Sequence, residues 1–83
     1  MDRAITDRIF DDVREELFAA MKGNTPMASL HEGYAVLLEE VDELKAEVWK
    51  NPRKHPERRE KARKEAIQVA AMAIRLIYDV LEP

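Results

Sequence analysis

The residues best suited to chemistry are acidic side chains grouped on one predicted helix. They are Glu39, Glu40, Asp42, Glu43 and Glu47. Because residues three or four positions apart share a helix face, Glu40, Glu43 and Glu47 lie together on one flank. Carboxylates this close repel each other unless a cation lies between them, and carboxylate oxygens are the ligands that Mg²⁺ and Mn²⁺ prefer. The alternative is a solvated acidic face whose charge Lys45 and Lys50 partly offset.

A second acidic position, Glu65, lies on a later predicted helix and inside its apolar arc. Gln68, three residues further on, lies at the edge of that arc. Burying a glutamate costs several kcal/mol unless it is paired or binds a metal. A Lys or Arg from another helix is one partner for Glu65. A metal shared with the first acidic helix is the other, because helical bundles build carboxylate sites from i, i+3 pairs on facing helices.

The helices that carry these residues are delimited by glycine and proline clusters. Residues 23–26 (Gly-Asn-Thr-Pro) form one break, and residues 51–56, with prolines at both 52 and 56, form another. The stretches between them are rich in strong helix formers. The pattern predicts a single all-α domain over 1–83 with three helices at about 4–21, 29–50 and 57–81. Ser29 followed by Glu32 predicts a capping box at the start of the second helix.

The apolar positions of the second and third helices indicate self-association. In the second helix they recur in steps of three and four and form one stripe: Leu30, Tyr34, Leu37, Leu38, Val41, Leu44 and Val48. In the third helix they cover more than half of the circumference. A chain of 83 residues without cysteine buries little surface by itself. We therefore expect a helical bundle assembled as a homodimer or homotetramer.

Charge and hydropathy exclude several classes of protein. The net charge is −3, but residues 50–64 hold eight basic against two acidic side chains. The overall acidity disfavours a duplex-DNA binder, so a nucleic-acid module built on residues 50–64 is only a minor alternative. No stretch approaches the roughly 20 apolar residues that span a bilayer, and the N-terminal residues lack the apolar core of a signal peptide. We expect a cytoplasmic protein that does not bind membranes.

The two acidic groups have the spacing of a known paired motif. Glu39-Glu40-x-x-Glu43, a spacer of 21 residues and Glu65-x-x-Gln68 resemble the E-E-x-x-E and E-x-x-D motifs of the MazG-like all-α nucleotide pyrophosphohydrolases. The flanking segments 31–40 and 65–75 are similar to short MazG-like proteins of phages and bacteria. The resemblance covers about residues 29–80.

The resemblance implies a Mg²⁺-dependent enzyme, with Mn²⁺ as a substitute, that splits a nucleoside triphosphate into a monophosphate and pyrophosphate. It assigns the metal to Glu40, Glu43, Glu65 and the position of Gln68, and catalysis to Glu43 and Glu39, of which Glu39 would orient water or a ligand. The chain departs from the motif at Gln68, where the family usually has aspartate. An amide oxygen still coordinates a hard cation but adds no charge, which leaves open a non-catalytic relative that binds a nucleotide or a partner protein.

Three further residues are candidates for contact with the substrate. Trp49 could stack on a nucleobase, or lie at the rim of a subunit contact. Lys54, in the basic segment, could meet phosphate, although basic runs are commonly solvated. Arg75 could reach phosphate or neutralise the acidic group, and a plain salt bridge is the simpler interpretation.

Overall fold

The chain folds as three α-helices joined by two short connections. The computed structural model describes residues 1–82 and contains no β-strand within them. Pro83, the last residue of the predicted domain 1–83, lies outside the described part. The predicted all-α class is confirmed. Across residues 1–82, no helix is both long enough and apolar enough to cross a bilayer.

The first two helices begin at side-chain caps that the sequence encodes locally. Helix α1 spans Arg3–Met21, and the Asp2 carboxylate accepts from the backbone N–H of Ile5 at 3.0 Å. Helix α2 spans Leu30–Val48, and Ser29 Oγ accepts from the backbone N–H of Glu32 at 3.0 Å. The Glu32 carboxylate accepts a hydrogen bond from the backbone N–H of Ala28 at 3.1 Å, and not from that of Ser29. The predicted capping box is thus present with its return bond displaced by one residue.

The backbone conformation and hydrogen bonds at the end of each helix determine where it stops. Gly23 has φ +74°, a left-handed conformation that stops α1. Helix α2 ends at Val48, two residues before the predicted end, because the backbone N–H of Lys50 bonds to Glu47 in a tightened last turn. Helix α3 spans Arg58–Leu76 and continues as a π-helical turn over Ile77–Leu81, where an α-helical end was predicted. The backbone N–H of Glu82 closes that wider turn on Ile77 at 2.7 Å.

Helix α3 is the centre of the fold, and the other two helices pack on it. It contacts α2 most extensively and α1 less so, whereas α1 and α2 scarcely touch each other. The arrangement is therefore an open bundle. Its radius of gyration is 14.2 Å, against about 12 Å for a compact domain of this length. The buried apolar core is correspondingly small and consists of Val13, Met27, Ala71 and Met72.

The apolar stripe of α2 is mostly exposed to solvent. Leu30, Tyr34, Leu38, Val41 and Val48 are 39–62 % exposed, and only the flank bearing Leu37 packs on the core. The sequence shows that these residues share a face, but the fold places α3 beside that face and not over it. Helix α3 likewise leaves part of its apolar surface uncovered.

A buried ion pair joins the end of α3 to the connection between α1 and α2. Arg75 Nε lies 3.2 Å from Asp79 Oδ2, and their side chains are only 11 % and 4 % exposed. The Asp79 carboxylate also accepts from the backbone N–H of Met27 at 3.0 Å. Arg75 donates a further bond to the backbone oxygen of Thr25 at 2.6 Å. These bonds hold the connection against the last turns of α3 and bring Met27 into the core.

Gly33 lies where α2 packs tightly against Leu76 of α3, and a larger side chain there is expected to destabilise the protein. A Cβ added at Gly33 would lie 2.2 Å from Leu76 Cδ1 and 3.3 Å from Met27 Sδ. We expect Gly33→Val to lower the free energy of unfolding by about 2 kcal/mol through overpacking. Urea unfolding at one protein concentration measures this. Ala35→Val, at an exposed site on the same helix, is the matched control and should cost under about 1 kcal/mol. Equal effects of the two substitutions would contradict the close packing.

Candidate functional site

Helices α2 and α3 bring three carboxylates from distant parts of the sequence into one group. Glu40 and Glu43 lie one turn apart on α2, and Glu65 faces them from the first half of α3. One oxygen atom from each lies within 4.8 Å of those of the other two. Glu40 and Glu65 are half-buried and Glu43 is exposed, so the group opens to solvent on one side. We call these three residues the carboxylate cluster.

Gln68 completes the cluster by bridging its two helices. With its amide nitrogen turned toward the acids, Gln68 donates to Glu65 Oε2 at 2.8 Å and to Glu40 Oε2 at 3.0 Å. The side chain therefore stabilises the negative charge by hydrogen bonding while adding no charge of its own. An amide rotated by 180° would instead present its oxygen to a cation in the cluster.

Burial, and after it the neighbouring acids, raise the pKa values of Glu40 and Glu65. The pKa of Glu40 rises from 4.5 to about 6, first because burial disfavours its charged form, then through the charge of Glu43 and a hydrogen bond to it, and then through the charge of Glu65. The pKa of Glu65 is also raised, mainly by burial and by a hydrogen bond to Glu43, while the charge of Lys64 acts in the opposite direction. Without a cation, Glu40 and Glu65 therefore hold their protons more tightly than ordinary carboxylates do.

The raised pKa of Glu40 predicts that the cluster destabilises the metal-free protein above pH 6. A group whose pKa is higher in the folded state contributes stability below its unfolded pKa, near 4.5, and loses it as the pH rises through the folded value, about 6. We expect Glu40→Gln to raise the free energy of unfolding at pH 7.5 by about 1 kcal/mol, allowing for solvent screening. Urea unfolding in EDTA at pH 7.5 and pH 4.0 measures the difference. A gain of the same size at both pH values would contradict the assignment, because the effect should vanish at pH 4.0.

Two more glutamates influence the cluster. Glu16 of α1 raises the pKa of Glu40 through its charge, so α1 contributes negative potential that the sequence analysis did not foresee. The position of Glu16, one turn from the buried Val13, was the available signal. Glu47 raises the pKa of Glu65. It is held by Lys50 at 2.9 Å through Oε1, while its buried Oε2 has no hydrogen-bond partner within residues 1–82.

The remaining predicted site residues lie outside the cluster. Glu39 is exposed and is not one of the clustered carboxylates. Trp49 follows the end of α2 and is 77 % exposed, and Lys54 is exposed in the turn before α3. Arg75 is engaged by Asp79 and Thr25, which is the salt-bridge alternative. The basic segment is partly engaged as well, since Arg63 pairs with Asp12 of α1 at 2.7 Å.

The donor set of the cluster fits a hard divalent cation. Three carboxylates, joined by an amide oxygen when the Gln68 amide is rotated, are ligands typical of Mg²⁺ and Mn²⁺, which retain several waters when bound. Among residues 1–82, no salt bridge involves Glu40, Glu43 or Glu65, so no basic side chain neutralises them at close range. The cluster can therefore accept positive charge from outside the chain.

Comparison with known proteins does not assign the chain to a family. No protein-family model matches it, and neither a curated protein nor a solved structure shows significant similarity. The carboxylate cluster and the motif spacing are therefore the features of the chain that bear on its function.

Proposed function

We propose that this chain is a Mg²⁺-dependent nucleoside triphosphate pyrophosphohydrolase that releases a nucleoside monophosphate and pyrophosphate. The observation that carries the proposal is the convergence of Glu40, Glu43 and Glu65 with Gln68. These are the four positions that the MazG-like motif assigns to the metal. A role in cleaning the nucleotide pool of the cytoplasm is part of the proposal, as is a homo-oligomer with a dimer as its smallest unit.

Each residue of the cluster has a task in this reaction. Glu40, Glu43 and Glu65 would hold Mg²⁺, and Gln68 orients Glu40 and Glu65 through its two hydrogen bonds. When bound, the ion would neutralise charge on the phosphate oxygens and lower the pKa of a coordinated water. In the reaction, the oxygen of an attacking water bonds to the α-phosphorus as the α–β phosphoanhydride bond breaks and pyrophosphate leaves. The exposed carboxylate of Glu43 is open to the solvent side and accepts the proton of the water.

The positions of the other predicted contact residues determine how readily each could reach a substrate. Trp49 and Lys54 are exposed and free to meet a base or a phosphate, and these roles remain predictions. Glu39 also keeps its predicted role in orienting water or a ligand, although its carboxylate is outside the cluster. Arg75 is the weakest candidate, because contact with substrate would require it to leave Asp79.

The test is a pyrophosphate-release assay with purified protein across the canonical NTPs and dNTPs and several noncanonical ones. It is run with Mg²⁺, with Mn²⁺ and with EDTA. Formation of monophosphate and pyrophosphate in equal amounts, and only with a divalent ion, supports the proposal, and the best substrate identifies the specificity. Absence of these products from a folded sample contradicts it.

One observation favours a second candidate, a non-catalytic helical homo-oligomer that binds a nucleotide or a partner protein. Gln68 presents its amide N–H groups to the two acids, so the cluster is partly satisfied without a cation. Under this alternative the melting temperature responds weakly to divalent ions and shows no preference among them. Under the enzyme proposal it rises with Mg²⁺ or Mn²⁺ concentration, because a ligand that binds only the folded state stabilises it by mass action.

A further inference from the structure

Helices α2 and α3 run antiparallel with a constant register across the carboxylate cluster. Gln68 of α3 reaches Glu40 of α2, and Glu65 reaches Glu43, so three positions forward on α2 correspond to three positions back on α3. The contact between the two helices continues beyond the cluster, because Val48 lines a groove together with residues from the first two turns of α3. The same register therefore extends toward the end of α2 and the beginning of α3.

The charge of this flank reverses beyond the cluster. Steps of four and then three residues lead to one acidic and three basic side chains: Glu47 and Lys50 on α2, and Lys61 and Arg58 on α3. The flank therefore changes from the acids of the cluster, through a mixed pair, to two basic residues. Lys50 and Arg58, which we call the basic pair, lie seven residues beyond the cluster, or about 10 Å along the helix axis.

Lys50 is held in position and keeps donors free for a ligand. Its Nζ lies 2.9 Å from Glu47 Oε1, and its side chain is 31 % exposed. An ammonium group has three N–H donors, so the bond to Glu47 leaves two of them for other acceptors. Glu47 therefore orients the ammonium group, which remains accessible from solvent.

Arg58 has a buried donor that lacks an acceptor. Its Nε is buried and has no hydrogen-bond partner among residues 1–82, and within that part of the chain Arg58 forms no salt bridge. Leaving a buried donor of a charged group without an acceptor is costly. An anionic ligand would satisfy it, and a guanidinium donates to phosphate oxygens through two parallel N–H groups.

The start of α3 adds positive potential next to the basic pair. Arg58 is the first residue of α3, and the side chain of the N-cap residue Glu57 makes no capping hydrogen bond. The free N–H groups and the positive end of the helix dipole favour an anion there, whereas a basic side chain in that turn is unfavourable by itself. The acids of this turn, Glu57 and Glu60, line the groove toward α1, where Lys61 also lies. A bound anion would therefore offset the positive charge that Arg58 places at the start of α3.

We propose that the basic pair is an anion subsite that holds the terminal phosphates of a nucleoside triphosphate whose α-phosphate lies at the carboxylate cluster. This inference rests on the proposed pyrophosphohydrolase activity and adds to it the direction in which the phosphates lie. The β- and γ-phosphates leave together as pyrophosphate, so Lys50 and Arg58 hold the leaving group.

The first test measures binding without catalysis. Inorganic pyrophosphate is titrated into the protein in Mg²⁺, after a blank with Mg²⁺ alone, and binding is followed by calorimetry and by the fluorescence of Trp49. This is the only tryptophan of the chain and directly precedes Lys50. Arg58→Gln should raise the dissociation constant at least about 10-fold, because it removes a charged donor from the anion. The adjacent exposed arginine gives the matched control, Arg59→Gln, which should change the constant less than about twofold.

A second variant keeps the binding test decisive if Arg58→Gln folds poorly. Lys50→Gln should also raise the dissociation constant at least about 10-fold, whereas Lys45→Gln, at an exposed position of α2, should not. Thermal melting checks that each variant is folded. Wild-type affinity for pyrophosphate in folded Arg58→Gln and Lys50→Gln would overturn the subsite, and so would a folded wild type that does not bind pyrophosphate.

Steady-state kinetics distinguish failure of the subsite from failure of the proposed activity. With the best nucleoside triphosphate, Arg58→Gln should raise KM at least about 10-fold and lower kcat less than about threefold, as expected for lost binding that the ground state and the transition state share. Hydrolysis with a wild-type KM in Arg58→Gln would leave the activity standing and overturn the subsite. If no triphosphate is hydrolysed, but pyrophosphate and triphosphate binding still depend on Arg58, the activity fails and the anion subsite is supported.

Discussion

Replacing Glu65 with glutamine should lower the rate of pyrophosphate release at least about 100-fold. Glutamine keeps the size and the hydrogen-bonding reach of the side chain but removes one of three charges from the carboxylate cluster. Loss of one preorganised group that stabilises transition-state charge typically costs 100- to 1,000-fold in rate. Glu65→Gln also removes a group with a raised pKa, so the variant should be at least as stable as the wild type. Loss of activity could then not be attributed to unfolding.

The measurement is the pyrophosphate-release assay under saturating Mg²⁺, with thermal melting as the check on folding. Asp42→Asn is the matched control, because Asp42 is an exposed acid on α2 beside Glu43 and lies outside the cluster. It should change the rate by less than about threefold, as expected for an exposed charge screened by solvent. If Glu65→Gln retained the wild-type rate, the cluster would not be the catalytic centre.

Replacing Asp79 with alanine should lower the free energy of unfolding by about 3 kcal/mol. The substitution leaves the buried guanidinium of Arg75 without its anion and the backbone N–H of Met27 without its acceptor. Breaking a buried ion pair by removing one partner costs about 3–5 kcal/mol, because the remaining charge is uncompensated. For a chain whose core has four residues, this is a large share of the total stability.

Urea unfolding at fixed protein concentration measures this effect. The matched control is Asp11→Ala, which breaks the ion pair with Arg14 on the surface of α1, where both side chains are more than 60 % exposed. That pair should contribute under about 1 kcal/mol. The loss of stability caused by Asp79→Asn should lie between those of Asp79→Ala and Asp11→Ala, since the amide oxygen still accepts from the backbone N–H of Met27 but carries no charge. A small effect of Asp79→Ala would mean that the connection between α1 and α2 is not held by this carboxylate.

In the absence of a cation, Gln68 offsets part of the repulsion between the negative charges of the carboxylate cluster. At this position the MazG-like motif has aspartate, which would add a fourth negative charge. Glutamine instead links α2 to α3 by two hydrogen bonds, so it relieves part of the repulsion that raises the pKa of Glu40. In the proposed metal site, glutamine in place of aspartate lowers the affinity for the cation because it carries no charge. The same side chain stabilises the metal-free protein through the bridge between α2 and α3.

Local features of the fold were predictable from the sequence. The number of helices, the cap at Ser29 and the break at Gly23 depend on hydrogen bonds and backbone angles within a few residues. The shared flank of Glu40 and Glu43 follows from the helical repeat alone. Their meeting with Glu65 was predicted from the motif resemblance, and the packing of α2 on α3 brings it about.

Only the tertiary structure decided which faces of the helices are covered. The stripe of α2 was recognisable, but its exposure depends on where α3 lies. Asp79 meets Met27 across 52 positions of the chain, and Glu16 acts on Glu40 from another helix. The sequence left three interpretations of Arg75 open, namely contact with phosphate, neutralisation of the acidic group and a plain salt bridge, and in the fold it pairs with Asp79. Periodicity specifies which residues share a face, whereas the partner of that face depends on how the helices pack, and sequence spacing does not encode that geometry.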